Sequence, residues 1–374
     1  MAKSVLDRFD SWLDDEGVAA VVVRQPLRPV EGADAPLFPP TYAGERQGES
    51  GFYNIDKTGL PDASGAVPPI PNVCLVDSVG SQANRIEPAF KTLADGKLVP
   101  QVAVDVEGES VHLLDAGHRV ADAVVRFSDL IDDIEAALLD YRDGDAAPLA
   151  RLAPTSLVFG AWDSRATQVK IPRLFASTIR AYDVQTLTRS AQYKPAMDYV
   201  RERVVGDPDD KKEDKDRYAE EGFVDVPATG THGGVIARKT QRDATLNLAT
   251  LRSIEAGDDD EATRALRRYL LGLALVALTR LDGKVLTLRQ GCQLVADGPA
   301  ERKVVRADGT EQPFELSADE AVAFAQVAGE VFGVGTDRTG TFDAKQAKAF
   351  LKKSSKDAKT ERAGKALKRK KASS

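Results

Sequence analysis

Two periodicities divide the chain into predicted strands and helices. Short apolar or alternating runs are typical of strands, and they occur at residues 17–27, 72–76, 100–106, 110–115, 155–164 and 284–296. Residues 242–255 fit either a strand or a short helix. Longer stretches with apolar residues every three or four positions predict helices at 78–87, 118–141, 260–281 and 317–332.

The stretch 118–141 has the most regular helical pattern. Its apolar stripe steps by four and three residues through Val120, Val124, Phe127, Ile131, Ile134 and Leu138. We therefore expect one continuous helix there, with its apolar side on the core.

Two long segments interrupt the predicted strands and helices. Residues 28–72 are rich in proline, and residues 204–222 are charged and almost without apolar side chains, so we expect an inserted loop and a flexible segment. The remaining order of elements indicates an α+β fold of the ferredoxin-like type with long insertions. We expect one domain over residues 1–344 and a separate C-terminal tail at 345–374.

Charge is distributed unevenly along the 374 residues. The formal net charge is −7, but residues 345–374 contain twelve lysines and arginines and two acids. The tail is therefore +10, which leaves −17 for residues 1–344. Such a basic block is typical of a solvated arm, and contact with nucleic acid is its second interpretation.

The two cysteines and the apolar segments favour a cytoplasmic protein. Cys74 and Cys292 are far apart in sequence, which excludes a disulfide framework or a zinc site built on thiols. The most apolar run, 269–281, is too short to cross a bilayer and predicts a buried helix. The first residues are amphipathic and acidic, unlike a signal peptide.

The predicted helix at 78–87 begins with an unusual set of polar residues. Val79, Ala83 and Ile86 form its apolar side, and Ser81 and Arg85 lie on the opposite side with Asn84 beside them. Free backbone N–H groups, a hydroxyl, an amide and a guanidinium on one patch can bind a phosphate. Ordinary surface polar residues are the alternative interpretation.

A second basic segment lies inside the otherwise acidic body. Residues 164–194 contain one acid, Asp183, and six cations: Arg165, Lys170, Arg173, Arg180, Arg189 and Lys194. Phe175, Tyr182 and Tyr193 lie among them. Cations that neutralise a phosphate backbone, together with aromatic rings on which bases stack, are typical of single-stranded RNA binding.

Four motifs in this order resemble one protein family: "VDSVGSQANRIE", "LLDAGHRVADAVVRFSD", "LVFGAWDSR" and "RDATLNLATLR". Over about residues 15–335 the chain resembles the backbone subunit of type I-U (I-G) CRISPR effector complexes, which are Cascade-like. These are proteins of the RAMP superfamily, with a modified RNA-recognition fold formed as a palm and a protruding thumb.

The resemblance implies a non-enzymatic, cytoplasmic subunit of an antiviral ribonucleoprotein complex. Copies would assemble head to tail as a helical oligomer along CRISPR guide RNA, beside other effector subunits, and would meet the target DNA strand through the guide. Ser81, Gln82, Asn84 and Arg85 would contact guide phosphates, and the basic segment after "WDSR" would belong to the palm or the thumb. No cofactor, metal, catalytic residue or membrane contact is expected.

The alternative hypothesis for the function is based on His118. It lies beside Asp115 and Arg119, and other RAMP proteins cleave CRISPR precursor RNA with a histidine general base, so a processing ribonuclease is the second hypothesis. His118 and Arg119 equally suit a phosphate contact or a helix cap. The common catalytic motifs G-x-S-x-G, P-loop and H-E-x-x-H do not occur in the sequence.

Overall fold

The computed structural model describes residues 5–44, 51–58, 71–208, 212–230 and 232–352. Its strands are β1 (Val18–Pro29), β2 (Thr41–Tyr42), β3 (Phe52–Tyr53), β4 (Ile55–Lys57), β5 (Asn72–Asp77), β6 (Val102–Val106), β7 (Glu109–His112), β8 (Ala161–Trp162), β9 (Lys170–Ile171), β10 (Phe175–Thr186), β11 (Arg189–Tyr193), β12 (Val226–Gly230), β13 (Val235–Asn247), β14 (Leu286–Arg289), β15 (Cys292–Ala296), β16 (Glu301–Arg306), β17 (Glu311–Pro313) and β18 (Arg338–Thr341).

The α-helices lie mostly between these strands. They are α1 (Asp10–Asp14), α2 (Val79–Ile86), α3 (Ala123–Arg126), α4 (Ile131–Arg142), α5 (Ala147–Leu152), α6 (Pro154–Phe159), α7 (Lys212–Glu220), α8 (Leu248–Arg252), α9 (Asp260–Thr279), α10 (Ala318–Phe332) and α11 (Ala344–Lys352). No helix within the described ranges is long and apolar enough to cross a membrane.

The central sheet confirms the α+β fold class. Its four middle strands are antiparallel in the order β16-β1-β13-β10. If these strands are numbered along the chain, the order is fourth, first, third, second, with helices between the first and second and between the third and fourth. This is the order of a ferredoxin-like or RNA-recognition sheet. Strands β5 and β4 extend it at one edge.

Helix α9 is the centre of the main core. Asp259 caps its first turn, and its second half, from Tyr269 to Thr279, is buried on all sides. It packs against α10 so closely that a Cβ at Gly272 would lie 2.7 Å from Ala325 Cα. Both helices were predicted from their apolar spacing, and the structure confirms them.

A second, smaller core cluster lies under β5, β10 and the β14–β15 hairpin. Cys74 and Cys292 are both free and buried in it, and the desolvation of the thiols raises the pKa of Cys74 to about 12 and that of Cys292 to about 11. A thiol with so high a pKa stays protonated and unreactive at neutral pH. The two cysteines are therefore packing residues, although they lie closer together than the sequence suggested.

The continuous helix predicted at 118–141 is wrong. The chain instead forms a 3-10 turn at Arg119–Ala121, the short helix α3, and α4. Between the helices the backbone pairs with the C-terminal part of the chain, because Asp129 N donates to Thr341 O and Ser128 bridges to Phe342. Of the predicted apolar stripe, Val120, Ile134 and Leu138 are buried, and the other three residues are half-buried, in separate pieces of structure.

The strand predicted at 155–164 is also wrong for most of its length. Pro154 starts α6 at a position where its missing N–H costs nothing, and Gly160 ends it with a φ of 79°. Only Ala161 and Trp162 are extended, in β8. In a run of fully buried residues, periodicity does not separate a strand from a buried helix.

The two predicted insertions are partly regular. Within 28–72, β2 and β3 form a hairpin and β4 joins the sheet edge, while residues 45–50 and 59–70 lie outside the described residues. Within 204–222, helix α7 contradicts a wholly flexible segment. Helix α11 begins at the predicted tail boundary, and the rest of the tail, 353–374, lies outside the described residues.

Candidate nucleic-acid interface

The polar helix start at 78–87 forms as predicted but is tied to the core. Ser78 is the N-cap of α2, and its side chain accepts a hydrogen bond from Ser81 N at 3.2 Å. Ser81 itself is half-buried. The preceding Asp77 is buried at the end of β5, and it organises the residues that follow.

Three side chains contact the carboxylate of Asp77. Gln82 Nε2 donates to Asp77 Oδ2 at 2.5 Å, Arg85 Nε to the same oxygen at 3.1 Å, and Arg289 lies 3.6 Å from Oδ1. Gln82 is completely buried and also accepts from Ser177 Oγ at 2.9 Å. Gln82 thus faces the protein interior, away from any RNA on the surface.

Arg85 does not point freely to solvent, which corrects the expectation from the helical pattern. Besides Asp77, its guanidinium donates to Leu288 O at 2.8 Å, and 34% of the side chain is exposed. It joins α2 to the β14–β15 hairpin, so part of its hydrogen-bonding capacity is already used within the fold. The remaining exposed edge is the part that can reach a ligand.

Arg119 is an interior residue as well. It is 5% exposed, its Nε lies 2.8 Å from Glu87 Oε2, and it donates to Gly160 O at 3.2 Å. Its guanidinium also stacks on Phe159, 5.2 Å from the ring centre. Desolvation lowers the pKa of Arg119 and raises that of Glu87 to about 7, because both ions have left water.

The Glu87–Arg119 pair positions exposed polar groups above it. Arg119 donates to Asn84 Oδ1 at 3.4 Å, and a Cβ at Gly117 would lie 3.2 Å from Asn84 Nδ2. Asn84 and the neighbouring His118 are exposed. The structure therefore brings helix α2 and the turn at Gly117, His118 and Arg119 (the "GHR" turn) together on one surface.

The β8–β9 hairpin begins beside these residues, because Gly160, whose carbonyl accepts the hydrogen bond from Arg119, directly precedes β8. Trp162 is 59% exposed and is paired across the hairpin with Lys170, whose Nζ lies 6.0 Å from the indole ring centre. Asp163 orders the turn by accepting from the backbone N–H groups of residues 165–167. The exposed Arg165 lies in that turn.

Arg173 lies on the same side, at the end of α6. A Cβ at Gly160 would lie 2.7 Å from Arg173 Cγ. The glycine therefore lets the exposed Arg173 pack directly on the backbone of residue 160, whose carbonyl binds Arg119. We call the set Asn84, His118, Trp162, Lys170 and Arg173 the hairpin surface. Sequence reasoning missed Trp162, and the signal for it was a tryptophan between a glycine turn and a cationic run.

The other predicted cations lie elsewhere. Strand β10, twelve residues or about 40 Å long, separates the hairpin surface from Arg189, which is exposed on β11, and from the exposed Lys194 directly after it. Lys194 lies 3.9 Å from Asp225. Arg180 lies within β10 and donates to Thr178 Oγ1 at 2.8 Å.

Strands β10 and β13 continue beyond the sheet as a two-stranded ribbon. Strands β11 and β12 pair from Arg189 and Gly230 to Tyr193 and Val226. At the far end, Phe223 packs edge-on against Tyr199 and Tyr218, with ring centres 5.4 and 6.1 Å apart. This small aromatic cluster orders the distal part of the ribbon.

One part of the chain matches a known protein family. Residues 21–186 match the family model described as CRISPR-associated protein GSU0053. This segment is similar to a CRISPR-associated family. The match runs from β1 to the end of β10, so it contains α2, the "GHR" turn and the β8–β9 hairpin.

The match over residues 21–186 supports a role in CRISPR defence. No curated protein matches the chain. No group of residues suited to a metal ion occurs within the described parts of the chain.

Proposed function

We propose that this protein is the guide-RNA-binding backbone subunit of a type I-U (I-G) CRISPR effector complex. It acts without catalysis: copies coat the CRISPR guide RNA head to tail, beside other effector subunits, and present its bases to the target DNA strand. The observation that carries this proposal is the hairpin surface, where an exposed tryptophan lies among cations and an oriented amide within the CRISPR-associated segment.

The chemistry of the hairpin surface suits a single strand. Lys170 and Arg173 can neutralise phosphates, and the Trp162 ring offers a stacking platform for a base. His118 and Asn84 add a donor and an acceptor beside them. These contacts distinguish poorly between bases, which is what a subunit that binds guides of any sequence requires.

Buried members of the predicted site act differently in this proposal. Gln82 and Arg119 hold α2 and the "GHR" turn in place, whereas Asn84 and the exposed edge of Arg85 make the contact. Ser81 lies beside the capped start of α2, where the free N–H groups favour a phosphate.

The β11–β12 ribbon fits the thumb. It leaves the palm sheet as two strands, carries exposed Arg189, Lys194 and Tyr193, and ends in the aromatic cluster around Phe223. A rigid two-stranded ribbon with cations along it can cross a guide strand and interrupt it. The neighbour in the assembly would be contacted by a different surface, and the exposed Phe52 of the β2–β3 hairpin is our candidate.

A ribonuclease that processes precursor RNA remains the alternative. General base catalysis requires His118 to share a proton with substrate and to be oriented by a second group. Among the described residues no hydrogen bond of the His118 ring occurs, and the nearby Asp115 binds Lys91 Nζ at 2.7 Å. This arrangement favours an RNA contact over catalysis.

Assembly on RNA tests the proposal directly. The purified chain is mixed with guide RNAs of increasing length, binding is measured at several salt concentrations, and the particles are viewed by electron microscopy. We expect affinity to fall steeply with salt and particles to lengthen with the RNA. No RNA binding at low salt, or a closed dimer of constant size on every RNA, contradicts the proposal.

A further inference from the structure

One face of the central sheet enters the core, and the other lies outside both core clusters, although Thr178 and Gln241 on it are buried beneath their neighbours. Along β1, Val21 and Val23 belong to the main core, whereas Val22 and Arg24, which point the opposite way, belong to neither core cluster. Strand pairing extends this second face, because residues paired directly across antiparallel strands share a side. We call it the open face.

Three rows of side chains cross the open face. The first contains Arg24, Asp243 and Thr178; the second contains Pro26, Gln241 and Arg180; and the third contains Lys239 and Tyr182. Beyond the third row a cavity of about 80 Å³ is lined by Arg28, Lys239, Pro26 and Asp297, among others. At about 30 Å³ for each water molecule, the cavity has room for a group the size of a phosphate.

Both acids in the rows and the cavity lie beside an arginine, because Asp297 Oδ1 is 3.6 Å from Arg28 Nε and Asp243 is paired with Arg24. Asp243 lies 3.5 Å from Arg24 Nε, and it accepts hydrogen bonds from the Gln241 amide and, at 3.3 Å, from the Tyr182 hydroxyl. Asp243 therefore fixes the Tyr182 ring rather than repelling an anion.

The cations near Tyr182 keep positive charge in excess. Lys239 Nζ lies 5.7 Å from the centre of the half-buried Tyr182 ring. Arg180 binds the Thr178 hydroxyl and pairs with no acid in the parts of the chain that the structure describes. A long lysine side chain can move its ammonium from the ring to a phosphate when a base takes its place on the ring.

We propose that the open face is a second contact site for single-stranded RNA, in which one base stacks on Tyr182 and adjacent phosphates bind Arg180, Lys239 and the cavity beside Arg28. The inference rests on the proposed RNA-binding function and adds a site separate from the hairpin surface. The charge of the open face favours single-stranded RNA as its ligand. The exposed side chains of the face are cationic and polar, and a polyanion with stackable bases complements them.

Paired variants at Tyr182 test the stacking. The full chain is titrated with a fluorescent uridine 20-mer, a matched DNA 20-mer is the second probe, and 4-thiouridine RNA is crosslinked and its peptides mapped by mass spectrometry. Tyr182→Leu should weaken RNA binding about tenfold or more. Tyr182→Phe keeps the ring but loses the hydroxyl that Asp243 holds, so it should retain most of the wild-type affinity.

Charge variants test the phosphate contacts. Lys239→Gln should weaken binding and lower the salt slope by about one contact, whereas Arg142→Gln, which removes an exposed cation on α4 paired with Asp143, should change neither. Crosslinks should include the Tyr182 peptide.

Wild-type binding without that crosslink and with unchanged affinity in Tyr182→Leu overturns the open-face site alone. No RNA binding by wild type overturns both it and the proposed function. Tighter binding of the DNA than the RNA also overturns the assignment to RNA.

Discussion

The buried contacts beneath helix α2 and the hairpin surface use the same residue types for opposite purposes. Arg119 and Arg85 are held by Glu87 and Asp77, two carboxylates that are buried, so these arginines join elements of the fold. Lys170 and Arg173 are exposed, and Arg173 packs at Gly160, whose carbonyl accepts a hydrogen bond from Arg119. A cation already bound to a buried acid stabilises the protein, and an exposed one is available to a phosphate.

The largest effect on stability is expected from a substitution of Arg119. Arg119→Ala leaves Glu87 buried without its partner and should cost about 3–5 kcal/mol of unfolding free energy. Denaturant unfolding measures this loss, and Arg142→Ala, at an exposed pair, is the matched control. Glu87→Met combined with Arg119→Met should recover part of the stability, because no charge then remains buried. A stable Arg119→Ala variant that has lost RNA binding would instead make Arg119 a ligand.

Substitution of Trp162 should have the opposite effects, a small change in stability and a large loss of RNA affinity, if the hairpin surface binds RNA. Trp162→Ala removes a largely exposed ring, so the melting temperature should change little, whereas RNA affinity should fall by about 1–3 kcal/mol for the lost stacking. Trp162→Phe should retain part of the affinity. A variant that melts markedly earlier but binds RNA normally would show that Trp162 supports the hairpin instead.

Arg85 lies between these extremes and should show both effects. Arg85→Ala removes a charge-assisted hydrogen bond to buried Asp77, for which about 1.5–3 kcal/mol is typical, reduced here because Arg289 also contacts Asp77 and the side chain is one-third exposed. RNA binding by the folded fraction should fall by less than for Trp162→Ala. Unchanged stability with a large loss of affinity would restore the free phosphate contact expected from the helical pattern.

Sequence patterns predicted the elements with a clear local signal correctly, failed at 118–141 and 155–164, and predicted side-chain partners poorly. The strand β1, the helices α9 and α10 and the start of α2 follow from period and capping, which are local properties. Arg85 was placed correctly on the side of α2 away from Val79 and Ile86. Its contact with Leu288 nevertheless depends on a hairpin 203 residues later, and its contact with Asp77 depends on how the end of β5 is buried. Such pairing is decided by the tertiary fold and leaves no periodic signal.

The smallest effect is expected at His118. Its side chain is exposed at the edge of the hairpin surface and lies next to Arg119, so His118→Ala should leave stability unchanged and weaken RNA binding only severalfold at most, as expected for one neutral hydrogen bond. Precursor RNA incubated with the reconstituted complex measures the other consequence. Because a positioned base contributes about 10²–10⁴-fold to rate, a ribonuclease would lose nearly all cleavage, and His118→Gln would not restore it. Equal processing by wild type and His118→Ala, with RNA binding intact in both, keeps His118 with Lys170 and Arg173 as a residue that contacts the strand and does not cut it.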